Sequence, residues 1–276
     1  MQTFDLEHRV VLITGGSGGI GRACAVEFHH AGCRVAVVAR TAGKLEELRA
    51  TLGEDRVEAV CADVTDPNQR SRAVAAVRAR FGAIDVLVNN AGWAGYGPLA
   101  SLPYEYGRRM LATNFEAPLA LIQSVLPDML ARRSGQIVNI SSVVAIQPMP
   151  RMAVYSATKA ALTALSTSLR LELRGSGVDC ILVSPGSTKT GFFDAAAQIQ
   201  TQAVRYSRFQ QSPEHVARAV VRACRRRKRE VTLSPEGKLI ALIRRFSHRF
   251  ADGIVARVGE RTMPGVQRTD SQIGTA

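Results

Sequence analysis

The sequence is short of cysteine and has no long apolar run. Its five cysteines are scattered over 276 residues without a CxxC pair, which argues against a disulfide framework or a zinc site. No run approaches the roughly 18 apolar residues of a membrane span. The amino-terminal stretch MQTFDLEHRVVLITGG also lacks the zones of a secretory signal. From these absences we expect a cytoplasmic protein without a metal site.

Acidic residues are in the minority, and the net charge of +13 is unevenly distributed. Residues 1–204 carry 20 Lys and Arg against 17 Asp and Glu, whereas residues 205–276 carry 16 against 6. The basic run RRRKR at 225–229 ends a predicted helix, where cations complement the helix dipole. Because no aromatic-rich basic patch accompanies it, we expect no nucleic-acid partner.

Short runs of Val, Ile and Leu alternate along the chain with longer amphipathic segments. Unbroken runs such as RVVLIT and RVAVVA are typical of strands buried on both faces. Their alternation with helices predicts an α/β fold with a doubly wound parallel sheet of about seven strands, ending in EVTLS at 230–234. We expect a single domain over residues 1–235, with residues 236–276 appended to it as an amphipathic helix and tail.

A glycine-rich turn follows the first predicted strand. The segment TGGSGGIG, residues 14–21, opens a helix, and Gly15, Gly19 and Gly21 have the spacing GxxxGxG. Bare backbone amides and the positive end of a helix can hold a pyrophosphate at such a turn. A plain tight turn is the alternative explanation for the glycines. The position at the end of the first strand favours a dinucleotide site.

The second predicted strand ends without an acidic residue. Ala39 occupies the position at which a carboxylate would bind a ribose 2′-hydroxyl, and Arg40 follows it. A guanidinium suits a 2′-phosphate instead, so the sequence favours NADP(H) over NAD(H). Arg22 is a second candidate for the phosphate. The alternative is that Arg40 is a solvated loop arginine.

Tyr155 and Lys159 stand four residues apart in the stretch YSATK, on a helix predicted to start near Ala153. This spacing places both side chains on one helix face. A nearby ammonium lowers the pKa of a phenol, whereas burial of the phenolate raises it. The pair therefore suits acid and base chemistry near neutral pH. The alternative is that Tyr155 and Lys159 share one face of a surface helix by chance.

Small and polar residues follow two further predicted strands. They are Asp63 and Val64 after one strand and the stretch NNAG at 89–92 after the next. With these motifs, TGGSGGIG, Asn114, Ser142, YSATK and PGSTKT at 185–190, the chain resembles the short-chain dehydrogenases/reductases over about residues 8–235. The resemblance implies a Rossmann-type sheet and hydride transfer between NADP(H) and a carbonyl or secondary alcohol. It also implies a homodimer or homotetramer.

The resemblance implies a role for each matching residue. Tyr155 would exchange a proton with the substrate oxygen, and Lys159 would lower the pKa of Tyr155 and hold the nicotinamide ribose. Ser142, rather than Ser141, would hydrogen-bond the same oxygen. Asn114 would hold a water that links Lys159 to solvent, although the family often has glycine three residues later, where this chain has alanine. The residues expected to bind the cofactor are Gly15, Ser17, Gly19, Ile20, Gly21, Arg40, Asp63, Val64, Asn90, Ala91, Gly92, Tyr155, Lys159, Pro185, Gly186, Thr188 and Thr190.

The substrate is expected between QPMPRM at 147–152, the residues after NNAG, and the loop from Phe192 to about Gln211. Apolar side chains in these segments suit a lipophilic carbonyl or alcohol, and lid packing or subunit contact is the alternative for them. They are Trp93, Pro148, Met149, Met152, Phe192, Phe193, Tyr206 and Phe209. A 3-ketoacyl thioester is the alternative substrate class. The alternative function is a non-catalytic dinucleotide-binding redox sensor or interaction protein.

The segment KLIALIRRFSHRFADGIVARV predicts one basic amphipathic helix near the carboxyl terminus. Such a helix can dock on its own domain, on a sister subunit, or on an anionic membrane surface as a peripheral contact. The last stretch, PGVQRTDSQIGTA, is expected to be disordered. The predicted apolar stripe of the helix consists of Leu239, Leu242, Ile243, Phe246, Phe250 and Ile254.

Overall fold

The strands of the chain build one large parallel sheet and one short pair. The computed structural model describes residues 3–190, 192, 197–198 and 210–262. The strands are β1 Val10–Thr14, β2 Arg34–Ala39, β3 Val57–Cys61, β4 Val86–Asn89, β5 Gly95–Tyr96, β6 Gly135–Ile140, β7 Val178–Ser184, β8 Ala197–Gln198 and β9 Glu230–Thr232. Seven of them form the main sheet in the order β3-β2-β1-β4-β6-β7-β9, and β5 pairs with β8.

Helices connect the strands and cover both faces of the main sheet. They are α1 Gly19–His30, α2 Ala42–Leu52, α3 Pro67–Phe81, α4 Tyr104–Leu111, α5 Ala117–Ala131, α6 Ala153–Glu172, α7 Pro213–Arg225, α8 Pro235–Phe246 and α9 His248–Thr262. The doubly wound parallel sheet of Rossmann type is therefore confirmed. The predicted helix start near Ala153 is also confirmed.

Alternate residues of the central strands enter two separate apolar cores. Along β1, Val11 and Ile13 pack in the core that contains residues of α1 and α7. Val10 and Leu12 point to the other face, where residues of α3, α5 and α6 pack. This burial on both faces explains why the strands read as unbroken Val, Ile and Leu runs.

The order of the sheet creates a crevice at its carboxyl edge. From β1 the chain proceeds outward to β2 and β3, and then returns to place β4 on the other side of β1. Connections that leave in opposite directions open a gap between the ends of β1 and β4, which is the usual ligand position in such sheets. The glycine turn and NNAG lie at this point.

Two helical stretches of the chain are interrupted. The long helix after NNAG consists of α4 and α5 joined by a π-helical turn, Ala112–Glu116, which contains Asn114. The prediction of one continuous helix in the carboxyl-terminal segment is wrong, since Ser247 separates α8 from α9 with an extended backbone, φ −155° and ψ 106°. Serine favours such positions because its hydroxyl competes for backbone hydrogen bonds.

The helices α8 and α9 pack on the rest of the chain. Ala251 and Val255 of α9 are buried. The Gln147 side-chain amide donates a hydrogen bond to Asp252 Oδ1 at 3.3 Å. The predicted boundary between residues 235 and 236 falls in the first turn of α8. Among the helices that the structure describes, none has the length and apolar character needed to cross a bilayer.

All five cysteines are free, and four of them are buried. Burial raises the pKa of the Cys24 and Cys33 thiols to about 12, so both remain protonated small hydrophobes. Cys61, at the end of β3, is exposed. Within the described part of the chain, no three His, Cys, Asp or Glu residues are grouped so that they could hold a metal ion.

Candidate active site

A large cavity opens at the carboxyl edge of the main sheet. Its volume is about 1500 Å³, whereas sites for small molecules alone span roughly 300–1,000 Å³. The cavity is thus large enough for a dinucleotide together with a substrate. Every predicted cofactor-binding and catalytic residue lines it except Gly21 and Asn114, which lie behind its wall.

The glycine turn has the backbone geometry of a close-approach loop. Gly15 and Gly19 have positive φ values of 69° and 51°, which favour glycine. A Cβ added to Gly21 would lie 2.2 Å from the Gly15 carbonyl oxygen, so no side chain fits there. The amino end of α1 follows directly and lines the cavity with Gly19 and Ile20, and the first N–H groups of a helix have no partner within it. The turn can therefore hold an anionic group by its backbone.

Asn90 and Thr14 tie the glycine turn to the end of β4. Asn90 Nδ2 donates to the carbonyl oxygens of Thr14 at 3.0 Å and Gly15 at 3.3 Å. Thr14 Oγ1 in turn accepts hydrogen bonds from the backbone N–H groups of Asn90 and Ala91, each at 3.0 Å. The hydrogen bonds of Thr14 were not predicted, because a threonine at the end of a strand has no distinctive sequence pattern.

Asp63 and Val64 form the cavity wall beyond the end of β3. Asp63 Oδ1 accepts hydrogen bonds from Thr65, at 2.9 Å from its backbone nitrogen and 2.7 Å from its hydroxyl. Val64 is buried and presents an apolar surface. The Asp63 carboxylate is therefore held by the turn that follows it, next to the apolar side chain of Val64. This arrangement suits a ring whose edge meets Asp63 and whose face lies on Val64.

Arg40 stands exposed at the rim of the cavity after β2, beside Lys44 in the first turn of α2. Among the described residues, no carboxylate forms an ion pair with either side chain. Arg22, the second candidate for the phosphate, instead pairs with Glu47 at 3.2 Å and does not line the cavity. Lys44 was missed, although its position four residues after Arg40 is the signal that could have revealed it.

Ser142 and Tyr155 meet inside the cavity. Tyr155 is 7% exposed, and its hydroxyl shares a hydrogen bond with that of Ser142. Ser141 is directed elsewhere, since its Oγ donates to the Lys159 carbonyl oxygen at 3.1 Å and contacts Thr163 Oγ1 at 2.9 Å. The geometry therefore presents Ser142, rather than its neighbour, beside the phenol.

Lys159 lies one helical turn from Tyr155 on the same face of α6, and its Nζ is 5.9 Å from the centre of the phenol ring. Nζ donates a hydrogen bond to the Ile140 carbonyl oxygen at 2.8 Å. Burial lowers the pKa of Lys159 to about 8. The side chain is still mainly cationic at neutral pH.

The pKa of Tyr155 is shifted in the direction opposite to that predicted from the sequence. Burial raises the pKa of Tyr155 above that of an ordinary tyrosine, and the hydrogen bond with Ser142 lowers it by less. The expected lowering by Lys159 is therefore wrong for this state of the protein. The cause is that desolvation of a buried phenolate outweighs an ammonium that already donates to Ile140.

Asn114 is fully buried, and its side-chain amide is occupied by protein partners. Its Oδ1 accepts from the Trp93 backbone N–H at 2.9 Å, and its Nδ2 donates to the Trp93 carbonyl at 2.9 Å. Nδ2 also donates to Thr158 Oγ1 at 3.0 Å. Thr158 Oγ1 donates to the Tyr155 carbonyl at 2.8 Å. The side chain of Asn114 thus joins the segment after β4 to the helix that carries Tyr155.

The segment after β7 closes the cavity between the glycine turn and α8. The Pro185 carbonyl accepts from the Val143 N–H at 3.0 Å, and Thr188 Oγ1 donates to the Gly186 carbonyl at 3.0 Å. A Cβ added to Gly186 would lie 2.8 Å from Ser234 Cβ. Thr190 reaches across to the glycine turn, since a Cβ on Gly19 would lie 2.9 Å from its methyl carbon.

Half of the predicted substrate contacts line the cavity. These are Trp93, Met149, Met152 and Phe192, and the rings of Tyr155 and Phe192 lie 6.0 Å apart. Pro148 is exposed and does not contribute to the cavity wall. Phe193, Tyr206 and Phe209 lie outside the described residues. The apolar end of the cavity is therefore next to the Tyr155 hydroxyl.

Two further elements supply wall residues that the sequence reading did not assign. The first is α4, where the Arg109 guanidinium lies 4.3 Å above the Trp93 ring at the cavity wall. The second is the carboxyl-terminal helix pair, whose Leu239, Ile254 and Val255 also line the cavity. Periodicity indicated that Leu239 and Ile254 belong to an apolar stripe, but it could not indicate which surface covers them.

Comparisons with known proteins place the chain among enzymes with this architecture. It is 36% identical over 190 residues to a short chain dehydrogenase of Pseudocercospora fijiensis, covering 67% of this chain and 62% of the relative. The crystal structure of a short-chain dehydrogenase from Streptomyces avermitilis is 31% identical and superposes with a TM-score of 0.81. That match covers 93% of this chain and 99% of the other.

A further solved relative is 3-ketoacyl-(acyl-carrier-protein) reductase from Brucella melitensis, complexed with NADH. It is 25% identical, with a TM-score of 0.75, over 83% of this chain and 97% of the reductase. The family model described as short chain dehydrogenase matches residues 9–200. With the seven-stranded sheet and the cavity at its carboxyl edge, these matches establish that the chain belongs to the short-chain dehydrogenase/reductase family of oxidoreductases.

Proposed function

We propose that this oxidoreductase transfers hydride between NADP(H) and a lipophilic ketone, aldehyde or secondary alcohol, with Tyr155 as the group that gives or takes the proton. The observation that carries the proposal is the pairing of the half-buried Ser142 hydroxyl with the buried Tyr155 hydroxyl, in the same cavity as the glycine turn and the apolar wall. The pair is thus within reach of a reacting oxygen.

The residues present fit a nicotinamide dinucleotide. The glycine turn excludes a side chain at Gly21 and presents backbone amides to a pyrophosphate. Asp63 and Val64 offer an edge and an apolar surface to the adenine end, and Pro185, Gly186 and Thr190 flank the position of the nicotinamide end. When bound, the cofactor supplies or accepts the hydride.

Arg40 supports NADP(H) over NAD(H). With Lys44 it places two cations at the rim of the cavity, where a 2′-phosphate would lie, and Ala39 leaves that position without a carboxylate. The Brucella relative was solved with NADH, so the comparisons lend no support to NADP(H). The preference therefore rests on these two side chains.

In the direction of carbonyl reduction, negative charge develops on the substrate oxygen. The raised pKa keeps Tyr155 protonated, so its hydroxyl can donate to that oxygen while Ser142 provides a second donor. After the proton leaves, the Lys159 ammonium stabilises the phenolate. In the direction of alcohol oxidation, the same phenolate accepts the proton.

The wall residues favour a lipophilic substrate. Met149, Met152 and Phe192 pack in one apolar cluster with Tyr155, and Ile254 and Val255 line the same cavity from α9. Such a surface gains from contact with an apolar substrate, whereas it offers little to a small hydrophilic one. A 3-ketoacyl thioester is the second candidate, supported by the likeness to the Brucella reductase.

The experiment that tests the proposed function follows cofactor absorbance at 340 nm with NADPH or NADH and a panel of lipophilic ketones, aldehydes and a 3-ketoacyl thioester. We expect oxidation of NADPH with at least one lipophilic carbonyl and a lower kcat/KM with NADH. Tight cofactor binding without turnover of any panel member would instead favour a dinucleotide-binding sensor. Equal or better use of NADH would contradict the assigned role of Arg40.

A further inference from the structure

The outer face of α8 carries a row of exposed apolar side chains. Leu239, Leu242 and Phe246 are 58%, 55% and 82% exposed. Their spacing of three and four residues aligns them on one side of the helix. The other large apolar residues exposed in the described part of the chain are distributed over a short turn and three different helices. We call these three residues the α8 stripe.

The packing of α8 fixes the stripe outward. The Ser234 hydroxyl caps the helix by accepting from the Gly237 N–H at 3.0 Å. Gly237 is pressed against the domain, since a Cβ there would lie 2.7 Å from Val143 Cγ1. The contacts of α9, through Ala251 and the Gln147 to Asp252 hydrogen bond, hold the other end of the helix pair. Rotation of α8 to bury the stripe would break these contacts.

Exposed basic side chains lie on the same helix pair and beside it. Lys238 on α8 and Lys228 before β9 line one shallow depression together with Glu230. Arg249 and Arg257 of α9 are also exposed. The acidic groups described on these elements are Glu230 and Asp252, and Asp252 accepts the hydrogen bond from Gln147. The helix pair therefore presents exposed apolar side chains together with exposed basic ones.

From this arrangement we propose that the α8 stripe docks on an anionic lipid surface. A helix with an apolar face and basic flanks can lie in the interface of a bilayer, and each Lys or Arg near anionic lipid strengthens the contact. A second copy of the chain is the less suitable occupant, because a symmetric contact through this face would bring the same cations together. The inner face of the helix pair stays on the protein.

The position of Leu239 links this surface to the cavity. Leu239 belongs to the stripe and also lines the cavity that contains Tyr155. A lipophilic substrate dissolved in the bilayer would enter next to the docked helix. This consequence depends on the proposed function, whereas vesicle binding does not depend on it, so the failure of one is distinguishable from the failure of the other.

Vesicle flotation with the full chain tests the proposal. The probes are phosphatidylcholine vesicles with and without phosphatidylserine. We expect binding that rises with the phosphatidylserine fraction and falls with added salt. The double variant Leu242→Ser with Phe246→Ser should lower the partition coefficient at least about ten-fold. Lys238→Gln should lower it about five-fold.

The matched control is Leu171→Ser, which removes a leucine that is 63% exposed on α6, outside the helix pair. This control should bind vesicles like the unaltered protein. Circular dichroism and sedimentation velocity on each variant verify that it is folded and report its assembly state. The proposal is overturned if the protein does not bind anionic vesicles, or if the double variant binds them as well as the control. It is also overturned if the double variant only dissociates an oligomer, because the stripe would then be a subunit contact.

Discussion

At the proposed proton donor, two effects act on the same pKa in opposite directions. Burial of Tyr155 favours its neutral form, and the hydrogen bond with Ser142 favours its charged form. In the structure the first effect is larger, so the phenol is poised to give a proton rather than to take one. Lys159, with its pKa lowered to about 8, then determines how well the phenolate is tolerated after the transfer.

Activity should therefore depend on pH through Lys159. In carbonyl reduction, kcat/KM should be level at pH values well below 8 and fall as pH rises through about 8, because the amine loses the charge that stabilises the Tyr155 phenolate. The pH profile of NADPH oxidation measures this. In Lys159→Arg the charge persists at higher pH, and the fall should disappear whatever the absolute rate. A fall that remains in this variant would assign the titration to another group.

Cofactor choice is predicted to depend on Arg40. Arg40→Ala should weaken NADPH binding by about 1.5–3 kcal/mol, the range for hydrogen bonds to charged groups, with little change for NADH. Fluorescence titration with both cofactors measures the difference. Arg22→Ala is the control, because the Arg22 guanidinium is engaged by Glu47. Equal losses of NADPH and NADH affinity in Arg40→Ala would show that the residue is structural.

From the sequence it was possible to identify site residues that have a fixed spacing or stand at the end of a strand. Residues that reach the site only through the packing of the chain were missed. The YSATK spacing placed Tyr155 and Lys159 on one face of α6, as the structure shows. It could not reveal that Lys159 donates to the Ile140 carbonyl, which is distant in sequence. Thr14 was likewise missed because its role depends on a neighbouring element, whereas the spacing of Lys44 from Arg40 could have revealed Lys44.

Among the elements, the carboxyl-terminal helix pair departs most from its prediction. The spacing of the apolar residues is that of a helix, as the sequence predicts. The sequence also predicts a single helix with a single apolar face. In the structure Ser247 divides it, so Leu242 and Phe246 of α8 are exposed, whereas Ile254 of α9 lines the cavity together with the partly exposed Leu239. A break of this kind depends on the surface available for packing, which a local pattern does not contain.

The size of the substrate should be limited by α9. Ile254→Trp adds volume to the cavity wall and should lower kcat/KM for a bulky ketone at least about ten-fold relative to a small ketone, the scale of discrimination by pocket shape. Initial rates with the two ketones measure the ratio, and NADPH affinity should be unchanged. Ala256→Trp adds a larger side chain at an exposed position of the same helix and should leave the ratio unchanged. An equal effect of both variants would contradict the assignment of Ile254 to the wall.

At the scale of the whole molecule, the sheet was the most predictable feature. Strands buried on both faces have unbroken apolar sequences, and the connecting helices restrict the order in which such strands can be arranged. The order of the motifs along the chain then follows the carboxyl ends of successive strands, which meet at one edge. The cytoplasmic location and a homo-oligomer stay predictions, because neither depends on the fold of one chain.

The central claim is that the hydroxyl of Tyr155 moves the proton in an NADP(H)-dependent reaction. The most direct test compares turnover and NADPH affinity in Tyr155→Phe, which removes one oxygen and keeps the ring. The account predicts that turnover falls at least about 100-fold, the lower limit for loss of a general acid, while the Kd for NADPH stays within about three-fold. A turnover close to that of the unaltered protein would contradict the claim.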